Sequence, residues 1–199
     1  MNWFLKGILT LGLALFIAGC GSGGTTAIGN TVAVTAGITT GSAGSVFANI
    51  STTSTGSSVF TASPISVTLT SVATSTNNTV PTSPVSISRI SMSLTPLPSS
   101  NTDNSSNALS PVIPNPAYTN ITQGVGGVIP GPGTLKIDGI PILGLSDGAV
   151  LLNAFTASKL TNVQYNYIAN LLFFCVEANT GKQILVPWSV GVEVSLRAP

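Results

Sequence analysis

The clearest alternation of apolar and polar positions lies in the middle and at the end of the chain. In Pro64-Ile65-Ser66-Val67-Thr68-Leu69-Thr70 the apolar side chains hold odd positions and the hydroxyls even ones. That is the period-2 pattern of a strand with one face in a core. The next run slips phase, because Val85 and Ile87 are odd whereas Ile90, Met92 and Leu94 are even. A uniform strand would send one set to solvent, so the pattern predicts an extra residue, a β-bulge, near Ser88-Arg89. The alternative is two separate short strands. Thr134-Leu135-Lys136-Ile137-Asp138 resumes a strand after the turn residues Pro130-Gly131-Pro132-Gly133. From Tyr165 to Val176 apolar residues fill both parities, which fits a strand buried on both faces or a short helix. The β-branched and aromatic content, and Asn179-Thr180-Gly181-Lys182 directly after it, favour a strand running into a hairpin. Its return strand is Ile184 to Leu196, in which Pro187 marks a bulge or a sheet edge. Phe173, Cys175, Trp188, Val190, Val192 and Val194 form the predicted core of this hairpin.

Three earlier runs are shorter: Thr31–Thr35, Ser45–Ile50 and Ser58–Thr61, bounded by Gly, Ser and Thr clusters. Their apolar content is small, so they are expected as edge strands or part of a tether. Residues 96–133, rich in Pro, Asn and Gly, are expected as a long loop. Such strands, joined by Gly/Pro/Asn turns, predict an all-β sandwich. The expected organisation is a leader over 1–19, a Ser/Thr/Gly-rich tether or weak edge strands over 20–62, and the sandwich domain over 63–199.

Composition narrows the function classes. Only 6% of residues are charged, against about 25% in an average soluble domain. A nucleic-acid partner is therefore not expected, since five cations after the leader cannot neutralise a phosphate backbone. The chain has no His, which removes the commonest general base and transition-metal ligand. With 43% hydrophobic residues the low charge does not predict disorder. From Gly21 to Ser110 there are 39 Ser and Thr; from Pro111 to Pro199 there are 10.

The first twenty residues read as an export signal: Lys6 in a short positive region, Gly7 to Ile17 apolar, then small residues. The apolar stretch is shorter than the ~20 residues that span a bilayer. Ile17-Ala18-Gly19-Cys20 resembles the lipobox of bacterial lipoproteins at each of its four positions, and a Gly/Ser tether follows it. The resemblance implies cleavage before Cys20, a diacylglycerol on its sulfur and an acylated amine, so the membrane is the expected partner. Two or three acyl chains make a stable anchor where one is marginal. Gly21 in place of Asp at the next position implies export to the outer membrane, for a Gram-negative source. The final hairpin, with Val176-Glu177-Ala178-Asn179 and Gly181 before a Pro-interrupted valine strand, is similar to the last two strands of fibronectin-III or immunoglobulin-like domains. That implies an immunoglobulin-like sandwich, although the Cys-Trp-Cys core of that family is missing.

With Cys20 lipidated, Cys175 is the remaining thiol, and its setting in Leu171–Val176 predicts a small buried hydrophobe. Asp103, Asp138, Asp147, Glu177 and Glu193 are the acids. Asp138-Gly139 and Asp147-Gly148 flank a short apolar segment, so their carboxylates could meet across a turn, as calcium ligands or as an acid/base pair. Asp-Gly is first a turn dipeptide, and that reading is adopted. No cofactor or metal is expected. Two functions stand against each other. The first is a lipid-anchored, non-catalytic envelope protein used for binding, adhesion or architecture, with an envelope protein as a possible partner. The second is a lipid-anchored hydrolase or carbohydrate-active protein using Asp138 and Asp147.

Overall fold

A computed structural model describes residues 26–39, 45–52, 58–74, 82–97, 100–101, 121–143, 148–153 and 162–197. Its strands are β1 (Ala27–Ile28), β2 (Val32–Ile38), β3 (Ser45–Thr52), β4 (Ser58–Ala62), β5 (Ile65–Ala73) and β6 (Val85–Pro96). They continue with β7 (Ser100–Asn101), β8 (Ile121–Ile129), β9 (Gly133–Ile140), β10 (Asn162–Glu177) and β11 (Gln183–Arg197). A short helix covers 148–153. One sheet has the order β1-β2-β5-β9; the other runs β4-β3-β11-β10-β6-β8, with β7 also on β10. Neighbours are antiparallel except β3 and β11, which are parallel. Side chains from both sheets fill one core, among them Val32, Leu69 and Ile137 from the first and Val46, Ile90, Phe173 and Trp188 from the second. The chain is an all-β sandwich.

The phase slip in β6 is a bulge. Ile87 pairs with Cys175 and Arg89 with Phe174, so Ser88 is the extra residue. Val85 and Ile87 before it, and Ile90, Met92 and Leu94 after it, are all buried. One inserted residue thus keeps two sets of opposite parity on the core face. The final hairpin also forms as expected, with Phe173, Cys175, Trp188, Val190, Val192 and Val194 buried. Its turn lies between Glu177 and Lys182, and Gly181 takes a positive φ of 66° there, the region where a side chain is disfavoured. The doubly apolar run of β10 is a strand, but it is not buried on both faces: its odd positions are buried, while its even positions are half-buried and Asn170 is exposed. Part of that outer cover is Arg89, whose guanidinium lies 4.0 Å from the Phe174 ring centre.

Several expectations are corrected. β3 is an interior strand between β4 and β11, and β2, which β1 covers only at Ala33 and Val34, is a core strand of the first sheet rather than a tether. Their small apolar side chains, Val32, Val34, Ala36, Val46 and Ala48, are buried because the opposite sheet covers them. The expected boundary at 63 falls between β4 and β5, and each sheet draws strands from both sides of it. Within the expected loop at 96–133, Ile121–Ile129 is strand β8, paired with β6. Pro187 lies in the half of β11 that β3 leaves uncovered, since that pairing begins at Gly191; locally it is a sheet edge.

Candidate functional site

β10 points its odd residues inward, so the alternation that buries Phe173 and Cys175 carries Glu177 inward too. Its side chain is 0% exposed. A buried carboxylate must be compensated, and four donors do this. Oε1 accepts the Thr31 N–H at 2.8 Å and the Thr31 hydroxyl. Oε2 accepts the Asn30 N–H at 3.0 Å and the Thr180 hydroxyl at 2.6 Å. A second layer continues the network: the Thr31 hydroxyl oxygen accepts the Ser83 N–H at 3.1 Å, and the Ser83 hydroxyl oxygen accepts the Asn179 N–H at 2.8 Å. The carboxylate therefore ties together the β1–β2 turn, the segment entering β6 and the β10–β11 turn. Burial pushes the Glu177 carboxyl up, but the hydrogen bonds from Thr180, Thr31 and the Asn30 and Thr31 amides outweigh it and hold the group at about 2. At neutral pH this group is an ionised clamp with its acceptor sites occupied, not a proton donor. In the sequence Glu177 is one of five acids, with no role attached to it. The signal was its odd position, continuous with Tyr165, Tyr167, Leu171, Phe173 and Cys175.

Asp138 occupies a different setting. It projects from the outer face of β9, 60% exposed, and forms an ion pair with Lys136 at 2.9 Å. A hydrogen bond from Ser66, then one from Lys136, holds its carboxyl below the usual value. Asp138-Gly139 is not a turn, as the dipeptide suggested, but a bulge within β9. Ile137 pairs with Val67 and Ile140 with Ile65, so two residues oppose Ser66 alone. Gly139 has a φ of 70°, which glycine adopts without the strain of a Cβ. Asp147, the proposed partner of Asp138, lies outside the described residues. So do Asp103, the leader over 1–19 and Cys20.

Cys175 is buried in the core, and burial pushes its thiol up to about 11. It is a neutral packing group at pH 7. Among the described residues no group of three or more His, Cys, Asp or Glu comes together to hold a metal ion. Nor, among them, is any helix long and apolar enough to cross a membrane. An open groove of about 680 Å³ runs beside β3 and β4, lined by Phe47, Asn49, Thr61, Ala62, Pro64 and Ser195 among others. A smaller one of about 320 Å³ at the other end of β3 includes Ser45, Asn166 and Glu193. A third, of about 240 Å³, lies on the outer face at the β6 bulge and includes Arg89, Phe174 and Gln183. No protein-family model, no curated protein and no solved structure matches the chain.

Proposed function

We propose that the chain is a lipid-anchored protein of the bacterial cell envelope, in which a non-catalytic sandwich of immunoglobulin-like type serves binding, adhesion or envelope architecture. The observation that carries this reading is the order of segments at the start of the chain: a positive region, an apolar stretch, Ile17-Ala18-Gly19-Cys20 and a Gly/Ser tether. The strand orders favour the immunoglobulin-like type. β2-β5-β9 corresponds to the A-B-E order, and β6-β10-β11 to the C-F-G order, of that arrangement.

The surface supports a binding rather than a chemical role. Register places Thr35, Thr70 and Thr134 side by side across three strands of the first sheet. They form a row of short hydroxyls without charge, with Thr134 exposed and Thr35 and Thr70 half-buried. Glu177 is committed to holding loops, and Asp138 to an exposed ion pair. Neither is held against a partner to which it could pass a proton.

The anchor is tested by the intact mass of the full chain extracted from membranes of an expressing bacterium. The expected product begins at Cys20 and carries the diacylglyceryl and acyl additions. An unmodified Cys20, or a mature start elsewhere, overturns the anchor. Cys20→Ser is expected to leave the chain unprocessed or free of the membrane. A hydrolytic activity that disappears in Asp138→Asn or Asp147→Asn, with folding intact, would overturn the non-catalytic part.

A further inference from the structure

We infer that β4, whose outer edge no described strand covers, is a homotypic docking strand, which pairs antiparallel with β4 of a second copy about a twofold axis at Phe60. The inference stands on the sandwich alone and holds with or without the lipid anchor.

An exposed edge strand is a template for another strand, and natural sheets defend their edges with shortness, charge, proline, glycine or bulges. Most open edges of this sandwich carry such a device. β1 has two residues, and the part of β2 beyond it includes Gly37. β9 carries the Lys136–Asp138 pair and a bulge. β8 has three glycines and a register shift. The uncovered half of β11 holds Pro187. β4 reads Ser58-Val59-Phe60-Thr61-Ala62, with no charge, glycine or proline. Among the described residues it pairs with β3 alone.

The hydrogen-bond phase shows which groups are on offer. The Ser63 N–H donates to the Phe47 carbonyl at 3.0 Å, continuing the β3–β4 register in which Ala62 faces Ala48. Hydrogen-bonded pairs alternate along an antiparallel ladder, so Val59, Thr61 and Ser63 turn their backbone groups toward β3. Ser58, Phe60 and Ala62 turn theirs to the open side. A second β4 running antiparallel meets this set with the same set. Phe60 faces its own mate and exchanges two backbone hydrogen bonds with it, and Val59 faces the mate's Thr61.

A second copy suits this edge better than a charged peptide because the two strands are self-complementary and neutral. A twofold contact needs one patch that fits itself. Val59 against Thr61 gives a β-branched cross-strand pair on the outer face; Phe60 points to the inner face, where its ring packs against the core beside Gly148. On the outer face Val59 is 42% exposed, so pairing also shelters apolar surface.

The test is the register itself. Two full-length chains are made, one with Val59→Cys and one with Thr61→Cys, both at exposed positions. They are oxidised mildly, alone and mixed, with the unsubstituted chain as control for its native thiols. Across the proposed axis residues 59 and 61 form a non-hydrogen-bonded pair with Cα atoms about 4.5 Å apart, within disulfide range. Like residues are diagonal neighbours at about 7–8 Å, beyond it. The mixture should give at least tenfold more covalent dimer than either chain alone. Equal yields, or none, overturn the proposal. Cross-links to other envelope proteins without any between copies also overturn it, in favour of a foreign strand. In sedimentation of the otherwise unsubstituted chain, Thr61→Lys should weaken self-association at least tenfold with an unchanged unfolding transition. A chain that remains monomeric at high micromolar concentration before that substitution overturns it as well.

Discussion

Glu177 is held by neutral donors, so its charge is stabilised by hydrogen bonds rather than by a cation. With its carboxyl at about 2 against an ordinary 4.5, the group stabilises the folded state fully above pH ~4.5. That contribution is lost as pH falls through 4.5 toward 2, where both folded and unfolded chains bind the proton. The shift corresponds to roughly 3 kcal/mol at pH 7. Glu177→Gln replaces one acceptor oxygen by an NH2 that faces existing donors, and should cost about 2–4 kcal/mol at pH 7. Urea unfolding at pH 7 and pH 3 checks both statements: the variant should lose most of the difference that the parent shows between the two. An unchanged difference would show that another carboxylate governs the acid response. The inward direction of residue 177 was legible from its parity. Its partners were not, since Asn30 and Thr31 lie 147 and 146 residues away along the chain.

Within the strands, two bulges show how much of a local irregularity the sequence discloses. The one at Ser88 was readable, because a change of parity in a half-buried strand has few other solutions. Deleting Ser88 should turn either Val85 and Ile87 or Ile90, Met92 and Leu94 to the outer face. At about 1.5–3 kcal/mol for each apolar side chain exposed, the deletion should abolish cooperative unfolding or lower its midpoint by well over 10 °C. Ser88→Ala removes only an exposed hydrogen bond to the Phe174 carbonyl and should change stability by less than ~1 kcal/mol. Thermal melts of the two variants separate register from side-chain chemistry. A mild effect of the deletion would mean that β6 is two independent strands. The Asp138-Gly139 bulge was misread as a turn because both motifs use a glycine at positive φ. Only the partner strand, with Ser66 opposite two residues, distinguishes them.

The whole molecule is held by apolar packing and neutral hydrogen bonds. Its one ion pair among the described residues, Lys136–Asp138, has both side chains more than half exposed, and such pairs contribute about 0–1 kcal/mol. Raising sodium chloride from 20 mM to 0.5 M should therefore move the melting midpoint by less than about 3 °C. A larger drop, followed by calorimetry, would reveal charge networks among the remaining residues. At this scale the division between sequence and structure has a simple cause. The chain by itself determined the all-β class, the faces of β5, β6 and β11, the Ser88 bulge and the final hairpin. Period-2 alternation and turn residues are local, and a strand's buried face follows from its own side chains. Only the tertiary structure decided that β2 carries buried core residues, that β3 is interior and runs parallel beside β11, and that Glu177 finds its donors on the β1–β2 turn. Those outcomes depend on which distant strand supplies the neighbour. A run as weakly apolar as Thr31–Thr35 is buried or exposed according to whether the opposite sheet covers it.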